Sequence, residues 1–544
     1  MEVSRRSALG AIVAWPCAAA AAVRGSAQFG LHPGPSRPGH NHLNRGYGIS
    51  TNHPAATEAA HRIRVQGGGV FDMYLAALAT AWLVDPANCS PFGRMQGIYR
   101  VGGDYGCVHA ATKVRGEAGS TVPVPGNIPA YFFLRQAGRL RLPLQTILAP
   151  ARALALEGFR PTDALRIAVM GTADKMGREL RAIYLDDAGQ VRPTVHNPHL
   201  SELLDVLGRA ADENGFWAEL YARQPGPWTI EEIHGNLPHE GHPRVLRLRD
   251  PSGHEYQLRT TANLETWGTW TLLGAAVMGE LQACGAFSGF ARAIESYLLA
   301  TILVLDRIPF NVGTLTPKAS TPSVDIDIES EGRAIAARVR KLLDMPKAEL
   351  WDVLHRTYFT GEGSRTDDKN TNQFSIAVND DFLAFTTSLG PWFGSRRGWF
   401  GAGLAYSYAM KSRHLFAGQT HDVTEMSPLV IERDGKPWLA IGAAGSERIF
   451  GALTYTLFLK LGLGLPGDMA ELIRLPRLFP KDGKVRIHAD MPAEVQQHLI
   501  DRGFNLDPTK YDLSKHLGIV NLVEEVQPGL FHSGADPSGD GGAF

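Results

Sequence analysis

A change of hydrophobic period at Thr371 constrains the fold of this chain more than any other feature. Residues 360–370 read TGEGSRTDDKN, a run of glycine, serine and charged residues that is typical of an exposed loop. From Thr371 the pattern changes at once, and apolar residues occupy every second position from Phe374 to Val378. A period of two predicts a β-strand, and the turn residues 379–381 lead into a second strand, FLAFTTSL.

Further segments predict a layered α/β protein. Residues 428–445, PLVIERDGKPWLAIGAAG, predict another hairpin that turns at Asp434-Gly435, with a helix beginning at Ser446. Residues 70–84 are apolar on nearly every face and predict a buried helix. Helical patterns also fill residues 264–307 and 326–358. This mixture predicts sheets with helices on both sides.

Composition narrows the class of partner. Of the 544 residues, 44% are hydrophobic and 20% are charged, which is normal for a globular protein with a sizeable core. The formal net charge of -1 argues against electrostatic binding of nucleic acid, so we expect a small-molecule or peptide partner.

The N-terminus predicts export. Residues 1–27 contain Arg5-Arg6, an apolar alanine-rich run and small residues before position 28, which is typical of a twin-arginine signal peptide and a periplasmic destination. The apolar run is too short to predict a stable membrane span. A disordered tail is the alternative interpretation.

The cysteines predict neither a disulfide framework nor a zinc site. Cys17 lies in the predicted signal peptide, and Cys89, Cys107 and Cys284 remain after its removal. Cys89 and Cys107 are the pair best placed by sequence to form one disulfide. Since no CxxC pair occurs, we expect no cysteine-bound zinc.

Two other motifs are interpreted as non-functional. His40 and His42 lie in a segment, residues 28–46, that is rich in Pro, Gly and Asn, and we expect them to be solvent-exposed in a loose leader. Residues 462–467, GLGLPG, match GxGxxG, but they follow a helix and contain proline, so a helix-ending loop is expected rather than a dinucleotide site. We therefore expect no metal and no cofactor.

A series of short segments together resembles one family. These segments are GGGVFDMYLAALATAWLVDP, VPVPGNIPAYFFLRQAGRLRLPLQTILAPARALALEGF, TNQFSIAV, GKPWLAIGAAGSERI, LPRLF and the ending GADPSGDGGAF. Their content and order resemble the γ-glutamyltranspeptidase family of N-terminal-nucleophile hydrolases over most of the chain that follows the signal.

The resemblance implies a four-layer αββα fold that is built from a self-cleaving precursor. Cleavage between Asn370 and Thr371 would give a large subunit, residues 28–370, and a small subunit, residues 371–544, which stay together. Thr371 would become the new N-terminus and the nucleophile, with its own α-amine as the base. The alternative is an ordinary threonine at the start of a strand, where β-branched residues are common.

The resemblance also implies partners for the nucleophile. Ser388 occupies the position of a threonine that hydrogen-bonds the nucleophile in the family. Gly445 and Ser446 occupy the positions of paired glycines whose backbone N–H groups form an oxyanion hole. Arg115 lies near the family's arginine that binds a substrate carboxylate, where the alternative is a surface salt bridge. Arg94 lies where the family has a run of glycines and is a second candidate for substrate binding.

Departures from the family predict a different substrate. Ala409 and Ser412 replace the residues that hold the α-amino group of glutamate, Gly390 stands in place of an asparagine, and Thr424-Glu425 replace a pair of serines. A site that lacks the acceptors for an ammonium group does not favour it there, so we expect an amide other than glutathione.

Three functions remain open from the sequence. The first is a self-processing amide hydrolase or acyltransferase that acts through an acyl-threonine intermediate. The second is a non-catalytic periplasmic binding protein that keeps the fold. The third is a γ-glutamyl hydrolase or transferase with rearranged substrate contacts.

Overall fold

The computed structural model describes residues 31, 40–115, 122–137, 139–261, 263, 266–310, 318, 325–357, 369–405, 419–511 and 516–544. The helices are α1 Pro54–Val65, α2 Val70–Val84, α3 Asn127–Gln136, α4 Leu144–Glu157, α5 Asp163–Thr172, α6 Arg178–Tyr184, α7 Pro198–Arg209, α8 Glu213–Arg223, α9 Ile230–His234, α10 Gly268–Ala283, α11 Phe290–Arg307, α12 Ile328–Leu343, α13 Lys347–Thr357, α14 Arg448–Leu457, α15 Met469–Leu472 and α16 Ala493–Asp501.

The strands are β1 Asn41–Arg45, β2 Tyr47–Thr51, β3 Arg94–Val101, β4 Asp104–Ala110, β5 His239–Gly241, β6 Arg244–Arg249, β7 Glu255–Thr260, β8 Lys369–Val378, β9 Asp381–Pro391, β10 Gly398–Trp399, β11 Ala402–Gly403, β12 Leu429–Arg433, β13 Lys436–Ala444, β14 Leu478–Lys481, β15 Lys484–His488, β16 Leu506–Thr509, β17 Ile519–Gln527, β18 Leu530–Ala535 and β19 Gly542–Ala543. A short 3-10 helix, Ala173–Lys175, and a π-helical turn, Phe458–Gly462, complete the regular structure of the described residues.

Two seven-stranded sheets lie at the centre of the molecule. The order of one sheet is β1-β18-β17-β13-β12-β7-β6, and the order of the other is β19-β2-β8-β9-β3-β4-β5. Their facing sides enclose a small apolar layer that includes Ile98, Ala377, Ala440 and Val523. Strands β8 and β9 pack against β13 in this layer. The predicted hairpins are confirmed as β8–β9 and β12–β13.

Helices cover the outer sides of both sheets. Helices α10, α11, α12 and α14 form one core with β13 and its neighbours, and α1, α2 and α4 form another with β8 and its neighbours. Every residue of α2 is buried, which confirms the prediction from its unbroken apolar sequence. The architecture is therefore the expected four-layer αββα arrangement. In the parts of the chain that the structure describes, no helix is both long enough and apolar enough to cross a bilayer.

The expectation of a loose segment around His40 and His42 is wrong. Residues 41–45 form β1, which pairs antiparallel with β18 at the edge of a sheet. His40 is buried, and the ring of His42 stacks on Phe544 at 4.6 Å between centroids. The polar composition suits an edge strand, where one side of the backbone ladder stays unpaired.

The cysteine pairing favoured by the sequence is absent among the described residues. Cys89 and Cys107 are both buried free thiols. Cys107 lies in the apolar layer between the two sheets, whereas Cys89 belongs to the core between a sheet and its helices. The two thiols are therefore in different layers of the fold.

Candidate active site

Thr371 lies at an irregularity in the pairing of β8 with β9. Asn370 pairs with Gly390, but Asn372 pairs with Thr387, so two residues of β9, Ser388 and Leu389, lie opposite the single Thr371. This is a β-bulge, a feature that is common next to active sites because it redirects a side chain. Thr371 is buried, with 5% of its surface exposed.

Ser388 and Gly390 shape the strand opposite Thr371. The backbone N–H of Gly390 donates a hydrogen bond of 2.9 Å to Ser388 Oγ. Gly390 has φ +90°, a conformation that favours glycine strongly. The glycine that stands in place of the family's asparagine therefore has a backbone role in this chain, which the sequence did not reveal.

Asn52 contacts the backbone of Thr371 and of Gln373, which the sequence did not predict. Its Nδ2 donates to the backbone oxygen of Thr371 at 3.4 Å, and its Oδ1 accepts 2.8 Å bonds from the Gln373 N–H and from Asn521 Nδ2. One side chain thus joins β8 to β17 of the other sheet. Asn52 follows β2 directly, and its only signal in the sequence is its place before the His53-Pro54 start of α1.

The turn Gly445–Ser446 joins β13 to α14. Gly445 has φ +126° and Ser446 has φ +58°, so both residues lie in left-handed backbone. The prediction that the helix begins at Ser446 is wrong, because left-handed backbone cannot continue into a right-handed helix, and α14 begins at Arg448. Neither the Gly445 N–H nor the Ser446 N–H donates a hydrogen bond within the described residues.

Strand packing brings Thr371 toward this turn. A Cβ placed on Gly442 of β13 would lie 2.2 Å from Gln373 Oε1, so the two strands make close contact there. Ala377 of β8 and Ala440 of β13 share the apolar layer farther along. The strands therefore run in opposite directions past each other. Thr371, two residues before Gln373 and on the same face, lies at the end where β13 leads into Gly445.

Glu425 lies directly against the turn. Ser446 Oγ donates a hydrogen bond of 2.7 Å to Glu425 Oε1. Both side chains are buried, with 6% of Glu425 and 4% of Ser446 exposed. The structure therefore joins two residues that the sequence had placed in separate roles, one at the oxyanion turn and one in substrate binding.

Arg94 lies beside the nucleophile strand and has an acidic partner. It pairs in register with Ser388 across β3 and β9, and its guanidinium forms an ion pair with the buried Asp422. Asp422 also accepts a 2.7 Å bond from Thr112 Oγ1. Asp422 was not expected from the sequence.

Arg115 is paired as well. Its Nε lies 2.6 Å from Glu232 Oε1, and both side chains are partly exposed. Glu232 in turn caps the start of α9 through a 2.8 Å bond from the Thr229 N–H. The sequence-based alternative of a salt bridge is confirmed for Arg115, and its role in substrate binding stays a prediction.

Some predicted positions lie outside the described residues. They are Ala409, Ser412 and most of the polar run 360–370 before Asn370. The predicted signal peptide, residues 1–27, lies outside them too. Within the described part of the chain, no cluster of three or more His, Cys, Asp or Glu residues is arranged to hold a metal ion.

The fold of this chain is similar to that of solved structures. The crystal structure of cephalosporin acylase from Bacillus halodurans superposes with a TM-score of 0.70 at 17% identity, covering 94% of this chain and 98% of that one. This similarity shows that the two chains share one fold over nearly their whole lengths.

Sequence comparisons identify similar proteins. Residues 331–544 match the family model described as Gamma-glutamyltranspeptidase. The Acylase ACY 1 proenzyme of Pseudomonas sp. strain SE83 is 22% identical over 84% of this chain and 86% of its own length. Scoloptoxin SSD14 of Scolopendra dehaani is 21% identical over 84% of this chain and 81% of its own. The C-terminal part of the chain is thus similar to γ-glutamyltranspeptidases, and most of its length is similar to a proenzyme named as an acylase, which supports an enzyme of the amide hydrolase or acyltransferase kind.

Proposed function

We propose that the chain is a self-processing amide hydrolase or acyltransferase in which Thr371 is the nucleophile. The observation that carries the proposal is the position of Thr371 at a β-bulge, opposite Ser388, at the end of β8 that lies toward the Gly445–Ser446 turn. A hydroxyl at the strand end that lies toward two backbone N–H groups, neither of which donates to an acceptor among the described residues, has the parts needed for acyl transfer.

The first reaction is cleavage of the precursor. The Thr371 hydroxyl adds to the carbonyl carbon of Asn370, the peptide C–N bond breaks, and an ester forms on Thr371 Oγ1 while the nitrogen becomes a free α-amine. Water then hydrolyses the ester and leaves a carboxylate on Asn370. The products are the large subunit, residues 28–370, and the small subunit, residues 371–544.

Turnover uses the same atoms. The new α-amine has an unperturbed pKa of about 8, so it accepts the hydroxyl proton near neutral pH. Thr371 Oγ1 attacks the substrate amide, and the N–H groups of Gly445 and Ser446 stabilise the negative oxygen. The amine product leaves with a proton, and water or an acceptor amine takes the acyl group from the ester.

The acyl group is proposed to differ from the glutamyl group of glutathione, because Ala409 and Ser412 lack the acceptors for its α-ammonium group. The relatives named as acylases also fit a broader range of amides on this scaffold. The signal-like residues 1–27 support export to the periplasm, and the reaction needs no metal or cofactor.

The experiment is an acyl anilide assay with the wild type and with Thr371→Ala and Thr371→Ser. The wild type should release the aniline from at least one simple acyl anilide, Thr371→Ser should keep part of that activity, and Thr371→Ala should have none. Equal activity in the wild type and Thr371→Ala would refute the role of Thr371. A wild type that is active only on a γ-glutamyl anilide would refute the altered specificity.

A further inference from the structure

The charged side chains of the candidate site do not favour a substrate carboxylate. Both arginines that were candidates for binding a substrate carboxylate already have an acidic partner: Arg94 has Asp422 and Arg115 has Glu232. A substrate carboxylate would have to compete with these side chains for the guanidinium groups, and the Arg94 pair is buried.

Glu425, in contrast to the two arginines, has no partner of opposite charge among the described residues. It is buried, and its one side-chain hydrogen bond within the described residues comes from Ser446 Oγ. Among the described residues, no lysine, arginine or histidine forms an ion pair with its carboxylate, and its other hydrogen bond, of 3.2 Å from Ser427 Oγ, goes to the backbone oxygen. A buried carboxylate with no cation beside it is unusual, since buried charges are normally paired.

The position of Glu425 makes this imbalance relevant to the substrate. Its carboxylate contacts the side chain of Ser446, whose own N–H belongs to the proposed oxyanion turn. A negative charge there repels a second carboxylate and opposes the developing oxyanion. A positive group on the bound substrate would remove both costs, because it would pair with Glu425 directly.

We propose that Glu425 is a specificity-determining residue that selects acyl groups carrying an ammonium or a similar cationic group. This inference rests on the proposed function, because it takes the Gly445–Ser446 turn as part of the active site. It places the positive group of the substrate against Glu425 and disfavours acyl groups that end in a carboxylate. Thr424-Glu425 in place of two serines is the sequence change responsible.

The test compares three 4-nitroanilides that differ only at the end of the acyl chain. These are 4-aminobutyryl, pentanoyl and glutaryl anilides, which end in an ammonium, a methyl and a carboxylate group. kcat/KM is measured for the wild type, for Glu425→Gln and for Glu524→Gln. Glu524 is a matched control, because it is also buried and hydrogen-bonded, to Trp438 Nε1 at 2.9 Å, on β17.

The wild type is expected to prefer the 4-aminobutyryl anilide over the pentanoyl anilide and to accept the glutaryl anilide least. Glu425→Gln should reduce the ratio of the first to the second at least tenfold, while Glu524→Gln should leave that ratio unchanged. Preference of the wild type for the glutaryl anilide would overturn the inference. An equal loss for all three substrates in Glu425→Gln would also overturn it, because Glu425 would then affect the reaction without distinguishing the charge of the acyl group.

A binding measurement separates this inference from the proposed function. Calorimetry with 4-aminobutyramide, pentanamide and glutaramate requires no turnover. Tighter binding of the cationic amide to the wild type, lost in Glu425→Gln, supports the inference even if no anilide is hydrolysed. Equal affinities, or tightest binding of glutaramate, overturn it. Failure of the proposed function appears separately, as an uncut chain without activity.

Discussion

Asn372 Nδ2 donates a hydrogen bond of 2.6 Å to Oδ2 of the half-buried Asp85. The residue that follows Thr371 is thereby fixed to the C-terminal end of α2. Asn88 Nδ2 supplies a second bond of 2.7 Å to the other oxygen. Burial raises the pKa of Asp85 to about 8, although both amide bonds act in the opposite direction.

The raised pKa of Asp85 predicts a pH-dependent loss of stability. The unfolded carboxyl ionises near pH 4, whereas the folded one keeps its proton up to about pH 8, so the folded state binds more protons between these values. The free energy of unfolding therefore falls as pH rises through this window. Asp85→Asn removes this effect, because an amide does not titrate.

We expect the stability of Asp85→Asn relative to the wild type to increase from pH 5 to pH 8, by at most about 1.4 kcal/mol per pH unit. Denaturant unfolding midpoints at several pH values measure the difference. Parallel curves for the two proteins would show that Asp85 does not titrate in this range. Asp434→Asn is a control. Asp434 is an exposed carboxyl in the β12–β13 turn, and its pKa is lowered, so it does not titrate between pH 5 and pH 8.

The sequence predicted the hairpins well because their signals are local. Alternation from Phe374 to Val378 and the Asp434-Gly435 turn each lie within one short segment, and the structure confirms both hairpins. The αββα layers followed from the resemblance. The contacts of Asn52, Asp85 and Asp422 were not predictable, because each joins residues more than 280 positions apart or depends on burial that no local pattern records.

The site residues also divide into those that the sequence indicated and those that it did not. Thr371, Ser388, Gly445 and Ser446 could be proposed from aligned motifs, and the structure describes where each of them lies. The bulge at Thr371 and the left-handed backbone of Ser446 could not, because neither alternation nor turn residues record a shift in strand register or the φ of a single serine. The pairing of Arg94 with Asp422 likewise depends on chain segments that meet only in the folded protein.

The two arginines should differ in their effect on stability. Arg94→Ala leaves Asp422 buried without its partner, and such losses cost about 3–5 kcal/mol. Arg115→Ala breaks a partly exposed pair, for which about 1 kcal/mol or less is expected. Denaturant unfolding of both variants measures the contrast.

The double variant Arg94→Met with Asp422→Leu keeps this prediction testable if Arg94→Ala does not fold. Replacing both charges with apolar groups removes the uncompensated carboxylate, so this protein should be more stable than Arg94→Ala. Equal losses in Arg94→Ala and Arg115→Ala would contradict the account of the buried pair.

The bulge predicts a specific requirement for Gly390. Gly390→Ala forces a Cβ into a backbone with φ +90°, at a cost of about 1–2 kcal/mol. Because this strain falls opposite Asn370, directly beside Thr371, we also expect at least a tenfold loss of kcat/KM. Gly435→Ala is a matched control, with φ +78° and open space around it in the β12–β13 turn.

Both glycine variants should lose similar stability in unfolding experiments, but only Gly390→Ala should lose activity and slow precursor cleavage. If both variants kept normal activity, the geometry of the bulge would not matter for catalysis. If both variants lost activity equally, the loss would reflect lower overall stability rather than the geometry of the bulge.

The hydroxyl of Ser388 should matter more than its size. Ser388→Ala removes the acceptor of the Gly390 N–H and leaves a buried donor unsatisfied, which costs about 1–3 kcal/mol. We expect kcat/KM to fall at least tenfold. Ser388→Thr keeps a hydroxyl and should retain most activity. The reverse order of the two variants would exclude a hydrogen-bonding role for Ser388.

The most direct test of the central claim is the intact mass of the purified protein, measured beside Thr371→Ala. The account predicts two fragments in the wild type, the smaller of which begins at Thr371 and ends at Phe544, and one uncut chain in the variant. A single uncut chain in both proteins, with no release of amine from any amide, would contradict self-processing and favour a binding protein that keeps the fold.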